Sequence, residues 1–79
     1  MSDGALITLG LVIQQLRAAR GLSVAALAEE AGMHRNYLSS VEAGERNVSI
    51  MNLRRIAHAL GMTLSELVDK AFDEKKTPG

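Results

Sequence analysis

The chain has 79 residues, and its nine lysines and arginines balance nine aspartates and glutamates, which gives a formal net charge of zero. This length allows one small domain, which we place at residues 1–79, with a core at about 6–72 and a tail at 73–79 that we expect to fray. The balanced charge excludes a generally basic nucleic-acid binder. The 47% of hydrophobic residues excludes general disorder. The lack of cysteine excludes disulfides and thiolate metal sites.

Composition also limits where the protein works and how it is stabilised. No apolar run reaches the roughly 18 residues of a membrane span, and the N-terminus is acidic at Asp3 and lacks the basic lead of a signal peptide. We therefore expect a cytoplasmic protein with no membrane partner, no metal and no cofactor. A chain this short buries only about 60% of the surface that it exposes when unfolded, so a partner subunit would help to stabilise it.

Four glycines divide the chain, because each follows a stretch with helical periodicity. They are Gly21, Gly32, Gly44 and Gly61. Glycine ends helices readily, since it enters the left-handed conformation without a Cβ penalty. With the spacing of the apolar residues, they predict an all-α fold, a compact bundle of five helices.

The first predicted helix ends at Gly21, and Gly10 inside it obscures where it begins. Ser23 caps the second helix, and the third runs from about residue 34 to residue 43. Ser49 caps the fourth, and Thr63 opens the fifth with a capping box that includes Glu66. The predicted inward residues, in helix order, are Leu9, Val12, Ile13 and Leu16; Val24, Leu27, Ala28 and Ala31; Leu38 and Val41; Ile50, Leu53, Ile56, Ala57 and Leu60; and Leu64, Leu67, Val68, Ala71 and Phe72.

The second and third predicted helices carry a joint spacing constraint. Ala28 is followed by Gly32 four positions later and by Leu38 and Val41 ten and thirteen positions later. Two short helices joined by so tight a turn must cross steeply, and a small residue at Ala28 permits the crossing. The spacing favours a helix-turn-helix that binds DNA, with an ordinary αα corner as the alternative.

The outward side of the third predicted helix has the chemistry to read bases. Arginine can donate two hydrogen bonds to guanine, asparagine can pair with adenine, and short serines allow close approach. Arg35, Asn36, Ser39 and Ser40 are therefore the candidate base-reading residues. Taken singly, Arg35 could be a solvated surface arginine and Asn36 could satisfy the backbone at the helix start.

Residues beside this helix are candidates for other roles. Arg46 and Asn47, in the loop that begins at Gly44, are placed to contact phosphates, although the loop composition also suits a simple turn. Arg17 and Glu42 could form an ion pair across the bundle that orients the third helix, the alternative being two independent solvated charges.

The stretch from Leu16 to Leu67 resembles the helix-turn-helix family of phage repressor and Cro proteins. Within that family, the segment 34–49 is similar to the controller proteins of restriction-modification systems. The hallmarks present are Arg17, Gly21-Leu22-Ser23, Leu27-Ala28, Ala31-Gly32, Val41-Glu42, Gly44, Leu53, Ile56-Ala57, Ala59-Leu60-Gly61 and Ser65-Glu66-Leu67. The resemblance implies a short, all-helical, homodimeric transcription regulator that binds a symmetric double-stranded DNA operator.

The resemblance also implies roles for particular residues. It places Arg35, Asn36 and Ser39 or Ser40 in the major groove and makes Arg17 and Glu42 the family's internal ion pair. Tyr37, Arg46 and Asn47 would hold the DNA backbone, and we add Ser23, at the start of the second helix, to that set. The dimer would be built by the end of the fourth helix and by the fifth, which points to Met51, Met62, Leu67, Val68 and Phe72.

Two departures from the family pattern matter. Val24 stands where the family usually has a glutamine that clamps a phosphate or braces the reading helix, so that contact is lost or left to backbone amides. Asn36 replaces the threonine usual among controllers, so the operator sequence should not be inherited.

Other functions remain open as hypotheses. The chain could be an antitoxin or adaptor whose fifth helix binds another protein, or the DNA-binding part of a larger repressor, although we expect no sensor segment. We expect no enzyme, because the two histidines, His34 and His58, lie in no catalytic or metal-binding pattern.

Overall fold

The computed structural model describes residues 4–72, and this part of the chain forms five helices and no strand. The helices are α1 (Gly4–Ala19), α2 (Val24–Ala31), α3 (Arg35–Glu42), α4 (Ile50–Ala59) and α5 (Leu64–Ala71). The all-α prediction is confirmed, whereas the expected fraying of residues 73–79 lies outside the described residues. Within residues 4–72, no helix is long and apolar enough to cross a membrane.

Hydroxyl side chains begin three of the helices as the sequence predicts. Ser23 accepts a hydrogen bond from the Ala26 amide at 3.0 Å, and Ser49 accepts one from the Asn52 amide at 3.1 Å. Thr63 and Glu66 form the full capping box. Such caps satisfy amides that a helix start otherwise leaves without partners. The start of α3 differs, because His34 makes no side-chain hydrogen bond there.

Gly32 forms the turn between α2 and α3. Its φ is 70°, in the left-handed region that only glycine adopts readily. The Met33 amide donates to the Ala28 carbonyl at 3.0 Å, which closes the end of α2. The chain can therefore leave α2 and start α3 within three residues, which gives the predicted helix-turn-helix.

The core is aliphatic and draws on every helix. Its fully buried large side chains are Ile13, Leu27, Leu38, Ile56, Leu60 and Leu67. One predicted inward residue is wrong: Ile50, the first residue of α4, is 63% exposed. The periodicity of α4 assigned it to the apolar stripe, but no neighbouring element covers the side chain at this first position.

Two glycines bring α1 close to the end of α3. A Cβ atom at Gly10 would overlap the carbonyl oxygens of Val41 and Glu42, and one at Gly44 would lie 2.8 Å from the Ile7 Cα atom. Gly10 is buried and belongs to α1, so its role is close packing rather than a turn. The backbones of α1 and α3 thus meet without intervening side chains.

Candidate nucleic-acid interface

The outer face of α3 carries unengaged polar groups. Arg35, Asn36 and Ser39 are exposed, and their side chains make no hydrogen bond to other residues of the described part, 4–72. Ser40 differs, because it is half-buried and its hydroxyl donates to the Asn36 carbonyl at 3.0 Å. Ser40 therefore keeps acceptor capacity, while Arg35 and Asn36 have all their side-chain hydrogen-bonding groups available.

An ion pair ties the C-terminal end of α3 to α1. Glu42, at the end of α3, accepts from Nε and Nη2 of Arg17 at 2.7 and 2.9 Å, which is a bidentate arrangement. Arg17 Nη1 also donates to the Leu22 carbonyl at 2.9 Å, so the guanidinium ties α1 to α3 and to the loop before α2. This is the ion pair that the sequence predicted, and it connects α3 to α1 and to the loop before α2.

The pair is nearly removed from solvent, since the side chains are 14% and 7% exposed. The hydrogen bonds to Glu42 raise the pKa of Arg17, burial opposes this, and the charge of Glu42 adds to the rise. A raised pKa keeps the guanidinium charged at every working pH, so the connection between α1 and α3 does not depend on arginine titration.

Tyr37 lies at the edge of the α3 face and is held by two neighbours. The Arg46 guanidinium stacks over its ring, 5.4 Å from the centroid, which is cation–π geometry. Its hydroxyl oxygen accepts a hydrogen bond from Asn52 Nδ2 at 3.2 Å. The loop after α3 and the first turn of α4 thus meet at this ring.

Asn52 is the residue that sequence reasoning missed. It lies 15 positions from Tyr37, and its side-chain oxygen accepts from Arg55 Nη1 at 3.4 Å. A polar residue in the first turn of an amphipathic helix is usually interpreted as solvated surface. The one sequence feature that set Asn52 apart was its position three residues after the Ser49 cap.

The remaining candidates for DNA-backbone contacts differ in exposure and in which hydrogen-bonding groups are already engaged. Ser23 is exposed, and its oxygen already accepts the cap hydrogen bond, which leaves its hydroxyl hydrogen available. Asn47 is exposed in the loop after α3. Val24, at the position where the sequence comparison expected a glutamine, is half-buried and packs on the core. This position therefore contributes to packing in this protein.

The residues predicted for the dimer interface fall into three groups. Met51 lies at the start of α4 and not at its end, as the sequence had placed it. It is 56% exposed and available to a partner, and its neighbour Ile50 is more exposed still. Met62, Val68 and Phe72 are partly buried against the core. Leu67 is 0% exposed, so its assignment to the interface was wrong. Its side chain packs in the core of the monomer, as the buried residue of the short helix α5, and no surface of it is left for a partner.

The observed helix order and turn correspond to a known pattern. Residues 13–67 match the helix-turn-helix family. The chain belongs to this family.

Relatives of this helix-turn-helix protein include restriction-modification regulators. Control protein C.MunI from Mycoplasma sp is 44% identical over 62 residues, which are 77% of this chain and 84% of the relative. The crystal structure of the restriction-modification controller protein C.AhdI from Aeromonas hydrophila is 42% identical and has a TM-score of 0.76. The match covers 78% of this chain and 94% of that one.

A third comparison concerns a DNA complex. The controller protein C.Esp1396I, described as a tetramer in complex with its natural 35 base-pair operator, has a TM-score of 0.80 at 26% identity. That match covers 89% of this chain and 92% of that one. The resemblance of this helix-turn-helix protein to controllers is therefore confirmed, and the antitoxin or adaptor hypothesis is not favoured.

Proposed function

We propose that this protein is a sequence-specific transcription regulator that binds a symmetric DNA operator as a homodimer. The observation that carries the proposal is the α3 face, where Arg35 and Asn36 are exposed and have no side-chain partner within residues 4–72. Bidentate pairing of arginine with guanine, or of asparagine with adenine, discriminates by about 1–3 kcal/mol. In this proposal α3 occupies the major groove, and Ser39 and Ser40 add close contacts.

The DNA backbone is held on both sides of α3. Tyr37 and Arg46 form one unit through their cation–π contact, and Asn47 lies in the same loop. Ser23 lies at the start of α2 on the other side of the turn. These groups would fix the register of α3 on the duplex without reading sequence.

The dimer uses apolar surface that the monomer leaves uncovered. Ile50 and Met51 are adjacent at the start of α4 and are both more than half exposed. We assign the interface to this pair together with the half-buried Met62, Val68 and Phe72. Two α3 helices related by a two-fold axis would then address half-sites about one helical turn apart, or a multiple of it.

The relatives narrow the proposed role further. Both C.MunI and C.AhdI are control proteins of similar extent, and C.AhdI is a restriction-modification controller. We infer that this chain controls transcription of restriction-modification genes in the cytoplasm. The proposed mechanism consists of binding alone, with no catalytic residue, metal or cofactor.

The test begins by selecting duplexes from a randomised library with the wild-type protein. Arg35→Ala should reduce the preference for the selected duplex over an unrelated one by about tenfold or more for each half-site. The helical content, measured by circular dichroism, should remain that of wild type.

Arg54→Ala is the matched control, because it removes an exposed arginine from α4 rather than α3. It should leave the preference intact, even if the lost charge weakens binding to both duplexes alike. An Arg35→Ala variant that discriminates as well as wild type does would show that α3 does not read the operator.

A further inference from the structure

The Tyr37 hydroxyl is the last member of a chain of polar contacts that starts on α4. Arg55 Nη1 lies 3.4 Å from Asn52 Oδ1, and Asn52 Nδ2 lies 3.2 Å from the Tyr37 hydroxyl oxygen. The Asn52 amide group, from the first turn of α4, therefore bridges a cation and a phenol.

The direction of these hydrogen bonds follows from the chemistry of the groups. A guanidinium has donors and no acceptor, so the group of Asn52 that faces Arg55 must be its oxygen. The amide nitrogen then faces Tyr37, and an amide nitrogen can only donate. The phenol oxygen is thus the acceptor, and its own hydrogen has to point away from Asn52.

The ring itself is held independently of the hydroxyl. Arg46 lies over the ring face at 5.4 Å, while Asn52 contacts the hydroxyl at the ring's end. Tyr37 is only half-buried, so its outward side remains open. With ring and oxygen both restrained, the hydroxyl hydrogen is left to take the other position in the plane of the ring, away from Asn52.

We propose that Asn52 is a positioning residue that makes the Tyr37 hydroxyl an obligate donor to a phosphate oxygen of the operator. The proposal rests on the function proposed above and adds a residue outside the helix-turn-helix to the binding machinery. Asn52 acts through Tyr37 and need not touch DNA. Arg55 supports it by fixing which end of the amide faces the phenol.

A double-mutant cycle tests whether Asn52 acts through the hydroxyl. Tyr37→Phe should weaken binding to the selected duplex by about tenfold, the order of a hydrogen bond to a charged group. Asn52→Ala should weaken it by about three- to tenfold in the wild-type background and leave it unchanged in the Tyr37→Phe background. Gln15→Ala, which removes an exposed amide from α1, should have no effect in either background.

The reversed hydrogen bond gives a sharper variant. In Asn52→Asp a carboxylate replaces the amide with nearly the same shape, and it can only accept from the phenol. The hydroxyl hydrogen would then turn away from the phosphate. The added negative charge also weakens binding, but that part persists in the Tyr37→Phe background, so the cycle separates the two effects.

A spectroscopic measurement reads the direction of the hydrogen bond itself. Tyr37 is the chain's only tyrosine and there is no tryptophan, so its Raman doublet reports on this one hydroxyl. The intensity ratio of that doublet distinguishes an accepting phenol from a donating one. We expect the ratio of a phenol that both accepts, from Asn52, and donates, to water, in the free wild-type protein, and the ratio of a donor-only phenol in free Asn52→Asp.

The outcomes separate this inference from the proposed function. If the wild-type protein selects no duplex, the function fails and the role of Asn52 fails with it. If a duplex is selected but Asn52→Ala weakens binding equally in both backgrounds, or the free wild-type phenol has the ratio of a donor that accepts nothing, only the role of Asn52 is overturned.

Discussion

Glu42 is, within residues 4–72, the one charged residue that is buried, and Arg17 meets it with two hydrogen bonds. A buried ion pair contributes little net stability, because desolvation offsets much of the attraction, yet breaking it leaves an uncompensated charge. The pair therefore acts as a constraint on geometry. It holds the C-terminal end of α3 against α1.

Glu42→Gln should destabilise the protein strongly, because it leaves the Arg17 guanidinium in the interior without its counter-charge. We expect the free energy of unfolding to fall by about 3 kcal/mol, the lower end for a broken buried pair. Denaturant titration followed by circular dichroism measures this change.

Glu45→Gln makes the same chemical change three residues later, at an exposed position. Its effect on the free energy of unfolding should stay within about 0.5 kcal/mol. Equal effects of the two substitutions would mean that the Arg17–Glu42 pair is solvated and does not orient α3.

At the scale of elements, the contact between α1 and α3 depends on missing side chains. Gly10 leaves room for the carbonyl groups of Val41 and Glu42, and Gly44 leaves room for Ile7. Since Glu42 belongs to both this contact and the ion pair, α1 positions α3 through the backbone and through a side chain at once.

Gly10→Ala tests this close approach. Alanine favours a helix over glycine by about 1 kcal/mol, so an uncrowded site would gain stability. Here the new methyl group would overlap two carbonyl oxygens, and we expect a net loss of about 1–3 kcal/mol in the free energy of unfolding.

Thr8→Ala, an exposed substitution in the same helix, serves as the control and should leave the free energy of unfolding within about 0.5 kcal/mol of wild type. A stabilised Gly10→Ala variant would contradict the packing described here.

The helices and the helix-turn-helix could be predicted because their determinants are local. Serine and threonine caps, the glycine at position 32 and the apolar periodicity all act within a few residues. The exposure of Ile50 could not be predicted, because it depends on whether a neighbouring helix covers that position. The burial of Leu67 was predicted from periodicity, whereas its assignment to the dimer interface came from the family resemblance and conflicted with that burial. The Asn52–Tyr37 hydrogen bond likewise joins residues that only the folded bundle brings together.

For the whole molecule, zero net charge conceals an uneven distribution. From Arg17 to Arg55 there are six arginines against four glutamates, and the ion pair neutralises one of each. The surplus in this segment is small, so specific binding has to rely on placed contacts more than on a general attraction to phosphates.

Met51→Glu tests the proposed dimer. A carboxylate at this 56% exposed position would be desolvated on association, so sedimentation at micromolar concentration should give a monomer. The wild-type protein should sediment at about twice its mass of 8.5 kDa. Loss of the dimer should also lower the affinity of Met51→Glu for the operator, because only a dimer engages both half-sites.

Leu11→Glu provides the matched control, because Leu11 is 50% exposed on α1 and lies outside the proposed interface. It should remain a dimer. A dimeric Met51→Glu variant, or a monomeric wild-type protein, would exclude the proposed interface.

The start of α3 bears on how the complex forms. α2, α4 and α5 begin with a side-chain cap, whereas α3 begins at His34 without one. A missing cap lowers the cost of opening a first turn by about 1 kcal/mol. Arg35 and Asn36 occupy that turn, so the segment proposed to contact the bases opens more easily than the starts of α2, α4 and α5. Ordering this turn on the operator would cost conformational entropy and so lower the affinity. The same freedom would let the surface of α3 adjust to the groove.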